Sequence, residues 1–170
     1  MADRPNLVLT GFMGTGKTAV GRAAAAVLGA EFVDTDAVIE QRHGPIPEIF
    51  AEHGEATFRA HEAALADELA AATGLVISTG GGMLLAAEVA DRLGSTGRTF
   101  CLVASPDTIL ARVRADGVAE RPLLDVDDPA ARIAELLAAR EASYGAFDQI
   151  DTDGRAVDDI VADVLRRFAD

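Results

Sequence analysis

Short apolar runs recur along the chain and are separated by longer, alanine-rich segments. The runs are continuously apolar instead of alternating between apolar and polar residues, except for the weaker "FDQID" at 147–151. Continuous runs are typical of strands that are covered on both faces of a sheet. The pattern therefore predicts five buried, parallel strands, at 6–10, 31–34, 75–79, 99–104 and 147–151.

The segments between these strands have the composition of helices. Helix-starting signals precede some of them, such as "SPDT" at 105–108 and "DDPA" at 127–130. An alternation of strands and helices predicts an α/β fold with three layers (α/β/α), right-handed crossovers and ligands at the carboxyl ends of the strands. Helices are predicted at 17–28, 55–72, 86–93, 106–114, 129–142 and 157–168.

Two stretches are longer than a simple alternation needs. Residues 37–72 have room for about two or three helices, which predicts a small inserted subdomain at about 35–72. Residues 115–128 form a polar loop with a glycine, a proline and charges, long enough for a lid that closes over a ligand. No linker divides the rest of the chain, so we expect one domain over 1–170.

The chain is strongly acidic. Its 28 acidic and 15 basic side chains give a formal net charge of -13, which repels nucleic acid and anionic membrane surfaces. Cys101 is the only cysteine and lies in an apolar run, which excludes an internal disulfide and favours a reducing compartment. The sequence has neither a signal-peptide core nor an apolar stretch of about 18 residues. We therefore expect a cytoplasmic monomer that binds neither nucleic acid nor membranes.

The sequence "GFMGTGKT" at 11–18 matches the pattern of a phosphate-binding loop and lies between a predicted strand and a predicted helix. In such a loop the backbone N–H groups surround a phosphate, and the helix N-terminus adds its positive end. Lys17, the only lysine in the chain, can reach the outer phosphates of a nucleoside triphosphate, and Thr18 can offer its hydroxyl to Mg²⁺. A glycine-rich turn that only caps the helix is the alternative. The predicted nucleotide contacts here are Gly14, Thr15, Gly16, Lys17, Thr18 and Ala19.

Two carboxylates end the second predicted strand, in "FVDTD". In an extended chain Asp34 and Asp36 project to the same side, about 6.5 to 7 Å apart. One carboxylate could orient hydrated Mg²⁺, and the other could accept the proton of an attacking hydroxyl. The alternative for Asp36 is an N-cap of a helix that starts at Ala37.

The third predicted strand ends in "STGGGM" at 78–83. Without side chains, Gly80, Gly81 and Gly82 would let the backbone approach a small ligand closely and offer its N–H groups to the ligand's hydroxyls. A tight turn that needs glycine dihedrals is the alternative.

Arginines are candidates for binding an anionic ligand. Glu55, Arg59 and Glu62 lie on one face of a predicted helix, which is either a solvated face of ion pairs or a placement of Arg59 for ligand binding. Arg121 lies in the predicted lid, and Arg140 lies near the end of the helix at 129–142. An arginine fork binds a carboxylate through two parallel hydrogen bonds, which lysine cannot do.

Taken in order, the motifs "GFMGTGKT", "FVDTD", "PEIFAEHGEATFRAHE", "VISTGGG", "ERPLL" and "IDT" resemble the shikimate kinase family over nearly the whole chain. The resemblance implies a five-stranded parallel sheet like that of nucleoside monophosphate kinases, with an acceptor-binding subdomain and a mobile lid. It also implies transfer of the ATP γ-phosphate to the 3-hydroxyl of shikimate, a step on the way to chorismate and the aromatic amino acids.

Individual roles follow from the same resemblance. It implies that Asp34 is associated with Mg²⁺ and that Asp36 grips and deprotonates the 3-hydroxyl, with Lys17 as a further catalytic residue. Arg59 and Arg140 would clamp the shikimate carboxylate. The other implied site residues are Glu62, which steadies Arg59; the catalytic lid residue Arg121, which reaches phosphate and substrate; Phe50 and Phe58 near the ring; and Arg114 and Arg155, the latter within 150–156, near adenine.

Two other functions share part of this pattern. A kinase for gluconate or for nucleoside monophosphates would have the phosphate loop and a lid, but is not expected to combine the D-T-D motif, the arginine pair and the three glycines. A catalytically inactive homologue that binds ATP as a switch would not need a pair of arginines for a carboxylate.

Overall fold

A five-stranded parallel sheet forms the centre of the computed structural model, which describes residues 4–116 and 122–170. In space the strands follow the order β2-β3-β1-β4-β5, so β3 lies between β1 and β2. The predicted α/β architecture is confirmed. The strands are β1 (Asn6–Gly11), β2 (Phe32–Asp34), β3 (Val76–Ser78), β4 (Gly97–Val103) and β5 (Asp148–Asp151).

Helices cover both faces of the sheet. Within the described ranges they are α1 (Lys17–Leu28), α2 (Thr35–His43), α3 (Ile46–His53), α4 (Glu55–Ala70), α5 (Ala87–Thr96), α6 (Pro106–Asp116), α7 (Pro129–Tyr144) and α8 (Val157–Ala169). Short 3-10 helices lie at Met83–Leu85 and Pro122–Leu124. Helices α2 to α4 lie within 35–72, and the role of this segment as a separate acceptor-binding subdomain stays a prediction.

The hydrophobic core has a separate layer on each side of the sheet, and β1 belongs to both. Leu7 and Leu9 pack with α1 and α8, whereas Val8 packs with residues of α2 to α5 on the opposite face. A third cluster connects the carboxyl end of β1 and the strand β4 to α6 and α7. It includes the buried Cys101, and burial raises the pKa of its thiol to about 11. Because both faces are covered, the central strands β1, β3 and β4 are largely apolar, whereas the edge strand β5 buries only Ile150.

The side chain of Asn6 is polar and buried, and hydrogen bonds to the backbone satisfy it. Its side-chain amide donates hydrogen bonds to the backbone oxygens of Leu69, at 3.2 Å, and Ala72, at 2.8 Å. Its side-chain oxygen accepts from the backbone N–H of Leu75, at 2.9 Å. Asn6 thus satisfies carbonyl groups at the end of α4, which stops at Ala70 and not at 72 as predicted. In the part of the chain that the structure describes, no helix is both long and apolar enough to cross a membrane.

Candidate active site

The phosphate loop connects β1 to α1 at the edge of the sheet where the carboxyl ends of the strands lie. Gly14 and Gly16 have positive φ angles of 76° and 96°, which other residues rarely adopt. Gly16 is the N-cap of α1 and no side chain caps this terminus, so the N–H groups of the first turn face outward and can bind an anion. The buried Thr15 hydroxyl donates to the Phe12 carbonyl at 2.7 Å and steadies the loop from inside.

Lys17 folds back across this loop. Its ammonium donates to the carbonyl oxygens of Gly11, at 2.8 Å, and Phe12, at 2.9 Å. These contacts hold a positive charge at the mouth of the loop, where the outer phosphates of a nucleotide would lie.

Asp34 ends β2 and caps the next helix. Its Oδ1 accepts a hydrogen bond from the Ala37 N–H at 3.2 Å, and its Oδ2 accepts one from the Thr18 hydroxyl at 3.2 Å. Helix α2 begins at Thr35, so the expectation of an extended backbone through Asp36 is wrong, and so is the alternative that Asp36 is the cap. Asp34 takes the cap position because a carboxylate is favoured at a helix N-terminus.

Asp36 lies in the first turn of α2 and faces β3. Its Oδ1 is buried and has no hydrogen-bond partner among the described residues. Burial raises the pKa of Asp36, and the neighbouring charge of Asp34 raises it further, while Lys17 and Arg59 oppose the shift. A buried carboxylate oxygen without a partner can accept a hydrogen bond from a ligand hydroxyl.

Glu62 and Arg59 form an ion pair beside Asp36. Glu62 is only 2% exposed, and its Oε2 accepts from Arg59 Nη1 at 2.7 Å. Arg59 Nη2 also donates to the more exposed Glu55 at 3.2 Å. Burial raises the pKa of Glu62, which the adjacent guanidinium of Arg59 counteracts. Because Glu62 is buried, this is not the solvated face of ion pairs that the spacing also allowed.

The three glycines after β3 lie between these charged groups and the phosphate loop. A methyl group on Gly80 would lie 2.6 Å from Asp36 Oδ1, and one on Gly82 would lie 2.9 Å from both terminal nitrogens of Arg59. A methyl group on Gly81 would lie 3.3 Å from the Gly11 carbonyl oxygen. None of the three has a positive φ angle, so glycine is favoured here by the close approach of neighbouring groups and not by turn geometry.

Arg140 reaches the same glycines from α7. Tyr144 donates its hydroxyl hydrogen to the Gly81 carbonyl at 2.8 Å and accepts from Arg140 Nη1 at 3.3 Å. The Arg140 guanidinium also lies over the Phe12 ring, 5.4 Å from its centroid. Arg59 and Arg140 therefore approach neighbouring glycines from two different helices, and each guanidinium can by itself bind a carboxylate through two parallel hydrogen bonds.

The remaining predicted site residues are two phenylalanines and three arginines. Phe50 and Phe58 pack against each other, with ring centroids 5.0 Å apart, on the Arg59 side of the site. Arg155 donates to the Asp151 carbonyl at 2.8 Å and pairs with Asp163 at 3.3 Å, so its guanidinium is engaged in the protein. Arg114 is exposed on α6. Arg121 lies outside the described residues.

Sequence reasoning missed Arg112 as a part of this site, whereas it left open for Tyr144 either lining the site or packing. Arg112 donates to the carbonyl of Gly14 in the phosphate loop at 3.1 Å and to the carbonyl of Thr152 after β5 at 2.9 Å. No motif marks Arg112 in the sequence, where it is one of several arginines. Tyr144, the only tyrosine in the chain, lies one helical turn after Arg140 and contacts the glycines through its hydroxyl.

Comparison with known proteins agrees with this geometry. The family model for shikimate kinase matches residues 13–169. The chain belongs to the shikimate kinase family. The resemblance carried by the sequence motifs is thereby confirmed, and the chain is an enzyme of the shikimate kinase type, for which ATP is the phosphoryl donor.

Curated shikimate kinases are similar over almost their full length. The enzyme of Symbiobacterium thermophilum is 43% identical over 166 residues, which cover 96% of this chain and 95% of that protein. The shikimate kinase of Thermus thermophilus is 43% identical over 165 residues, covering 95% of this chain and 89% of that protein.

Solved structures of shikimate kinases have the same fold. The shikimate kinase of Acinetobacter baumannii, solved in complex with shikimate, gives a TM-score of 0.90 at 36% identity and covers 98% of this chain and 93% of that one. The enzyme of Bacteroides thetaiotaomicron gives 0.87 at 32% identity, covering 97% and 98%. A gluconokinase from Sinorhizobium meliloti gives 0.68 at 19% identity, covering 99% and 94%, which is a likeness of fold alone. The gluconate-type alternative is therefore the more distant one.

Proposed function

We propose that this protein transfers the γ-phosphate of ATP to the 3-hydroxyl of shikimate, giving shikimate 3-phosphate and ADP in aromatic amino-acid biosynthesis. The observation that carries the proposal is the convergence of Asp36, Arg59 and Arg140 on the three glycines at 80–82. A carboxylate beside two arginines, next to a phosphate loop, matches an acceptor that has both a hydroxyl and a carboxylate.

The donor half of the site is the phosphate loop. The backbone N–H groups of 14–19 would hold the phosphates of ATP, and Lys17 would neutralise charge on the transferring phosphoryl group. Thr15 keeps the loop in shape through its buried hydrogen bond to Phe12. In this half of the site the protein positions the phosphates and stabilises negative charge.

Thr18 and Asp34 fit a magnesium ion. Their oxygen atoms are the hard ligands that Mg²⁺ prefers, and they already meet at 3.2 Å beside the phosphate loop. Among the described residues no group of three or more potential metal-ligating side chains forms a closed site, which agrees with an ion held mainly by phosphates and water. When bound, Mg²⁺ would neutralise charge on the phosphates of ATP.

Asp36 is the proposed acceptor of the hydroxyl proton. Its buried Oδ1 has no hydrogen-bond partner among the described residues and lies beside the bare backbone of Gly80, so it has a lone pair left for the hydroxyl of a bound ligand. Once ionised, this carboxylate would align the hydroxyl and take its proton as the new phosphate ester bond forms.

The acceptor's carboxylate would lie between Arg59 and Arg140. Glu62 holds Arg59 from the buried side, and Tyr144 holds Arg140. Both arginines are therefore oriented before the ligand arrives, which lowers the entropy cost of binding.

Several broader features belong to the same proposal. The segment at about 35–72 would bind the acceptor, and the segment at about 115–128, with Arg121, would close over the site and keep water from competing with the acceptor hydroxyl. Phe50 and Phe58 would border the ring, and Arg114 and Arg155 the adenine. We also propose that the protein works as a cytoplasmic monomer.

A coupled assay of ADP release with shikimate, gluconate and nucleoside monophosphates tests the proposal. Of these three acceptors, we expect only shikimate to stimulate the release of ADP from ATP. If ADP release were stimulated only by another acceptor, the assignment would be overturned. Arg59→Lys should raise the KM for shikimate by about tenfold or more, because lysine cannot form the two-pronged contact. Arg42→Lys is the matched control, since Arg42 forms an exposed ion pair with Glu68 away from the glycines.

A further inference from the structure

Arg112 on α6 connects two loops that are far apart in the sequence. Its Nη1 donates to the Gly14 carbonyl at 3.1 Å and to the Thr152 hydroxyl oxygen at 3.0 Å, and its Nη2 donates to the Thr152 carbonyl at 2.9 Å. Gly14 belongs to the phosphate loop, and Thr152 directly follows β5. One guanidinium therefore sets the distance between the two loops.

Thr152, which accepts the hydrogen bonds of Arg112 after β5, is itself held in a fixed position. It is fully buried, its backbone N–H donates to the Val103 carbonyl at 2.9 Å, and its hydroxyl donates to the same carbonyl at 3.1 Å. Because Val103 ends β4 in the centre of the fold, Arg112 ties the phosphate loop to the sheet and not to a surface segment.

At the other end of the link, Arg112 determines the orientation of one peptide group in the phosphate loop. The peptide unit between Gly14 and Thr15 is planar, so holding the Gly14 carbonyl toward Arg112 also sets the direction of the Thr15 N–H. That N–H makes only a long contact of 3.4 Å with the Phe12 carbonyl. Gly14 packs against α6 as well, since a methyl group there would lie 3.3 Å from Val113.

The turn after β5 has a second attachment that does not involve Arg112. The carboxylate of Asp153 accepts from the Ser105 N–H at 3.0 and 3.1 Å, just before α6. Replacement of Arg112 should therefore leave this turn in place and remove its connection to the phosphate loop.

We propose that Arg112 is a positioning residue of the nucleotide site, which keeps the phosphate loop in register with the turn at 152–155. This inference rests on the proposed function, in which that turn borders the adenine. A nucleotide must fit both loops at once, whereas a ligand made only of phosphates needs the phosphate loop alone. Loss of Arg112 should therefore weaken nucleotide binding more than polyphosphate binding.

Calorimetric titration of ADP and of inorganic tripolyphosphate tests this difference. For Arg112→Lys, which keeps the positive charge but cannot serve acceptors in two loops, we expect the Kd for ADP to rise roughly tenfold, as for the loss of one charge-assisted hydrogen bond. The Kd for tripolyphosphate should change by less than about twofold, because the charge near the loop is kept. In turnover the KM for ATP should rise while kcat at saturating ATP changes little.

Two further variants protect the test against a general loss of structure. Thr152→Val removes the hydroxyl that accepts from Arg112 and donates to Val103, but keeps the Thr152 carbonyl for Arg112. It should raise the Kd for ADP by a smaller factor, and its effect should not add to that of Arg112→Lys. Arg132→Lys, at an exposed ion pair on α7, is the control and should bind ADP like the wild type. Thermal unfolding of each variant shows whether the fold is kept.

Equal weakening of ADP and tripolyphosphate binding in Arg112→Lys would overturn the proposal, because Arg112 would then shape only the phosphate loop. Unchanged binding of both ligands would overturn it too. Nucleotide binding is measured without shikimate, so failure of the wild type to phosphorylate shikimate would count against the proposed function and leave this result standing.

Discussion

Gly82 leaves room for the Arg59 guanidinium: a methyl group on Gly82 would lie 2.9 Å from both of its terminal nitrogens. The guanidinium is held from its other side by Glu62, at 2.7 Å. An arginine placed between a buried carboxylate and bare backbone has little freedom to move away. The absence of a side chain at Gly82 is thus part of what positions Arg59.

Gly82→Ala should displace Arg59 and raise the KM for shikimate by about tenfold, the loss of roughly one charge-assisted hydrogen bond. The backbone at Gly82, with φ −99° and ψ −4°, accepts alanine without strain, so the fold should be kept. The KM for ATP should stay within about twofold, since Arg59 does not touch the phosphate loop. Steady-state kinetics with each substrate varied in turn measure both effects.

Gly94→Ala is the matched control, because an added methyl group there meets no atom within 4 Å. An unchanged KM for shikimate in Gly82→Ala, or an equal rise in both KM values, would contradict the assignment of Arg59. Gly81→Ala would be a less selective test, since the added methyl group would approach both Gly11 of the phosphate loop and Arg140.

Asp36→Asn should lower kcat by about 10² to 10⁴, the usual contribution of a positioned general base. Asparagine has nearly the same shape but cannot take the proton. Calorimetric titration with ADP should give the wild-type Kd, because Asp36 lies on the acceptor side of the glycines. Wild-type turnover by this variant would exclude Asp36 as the proton acceptor.

The same residue predicts a pH dependence of activity. Burial raises the pKa of Asp36, and the ionised form is the active one, so kcat/KM for shikimate should fall on acidification at a pH above the usual range of an aspartate. Glu40 also raises this pKa, so Glu40→Gln should move the acid limb to lower pH. Glutamine keeps an oxygen for the Ile46 N–H, which Glu40 accepts at 3.0 Å. A shift to higher pH, measured from pH–rate profiles, would contradict the electrostatic explanation.

Asp163 should stabilise the C-terminal helix in a pH-dependent way. It accepts hydrogen bonds from Arg155, Arg166 and Arg167, and these contacts, that of Arg167 foremost, lower its pKa. A depressed pKa means that the stabilisation is present at neutral pH and is lost as the pH falls through the folded-state value. After allowance for screening by solvent, Asp163→Asn should lower the free energy of unfolding by about 1 kcal/mol at pH 7.

Urea unfolding across the acidic range measures this effect. The difference between wild type and Asp163→Asn should shrink as the pH falls, and it should also shrink in high salt. Asp91→Asn, at an exposed position of α5, should change stability by less than about 0.5 kcal/mol. A constant difference at all pH values would show that Asp163 acts through packing and not through its charge.

Local sequence patterns predicted the structure correctly where the conformation of a short segment depends mainly on its own residues. The continuous apolar runs predicted the buried strands, and "GFMGTGKT" predicted a loop whose glycines adopt positive φ angles before a helix. The spacing of Asp34 and Asp36 was misleading because Asp34 caps α2. The helix begins at Thr35, two residues before Ala37, where an extended chain through Asp36 would let it start.

Sequence alone therefore determined the layers of the fold, the phosphate loop and, through its ordered motifs, the family. Only the tertiary structure decided which distant groups meet. The position of β3 between β1 and β2 brings Gly80 to Asp36 and Gly82 to Arg59, and the packing of α6 after β4, on the other side of β1, brings Arg112 to Gly14. The physical reason is that a phosphate loop is shaped by the dihedral angles of consecutive residues, whereas these contacts depend on how strands are ordered and how helices pack across the sheet.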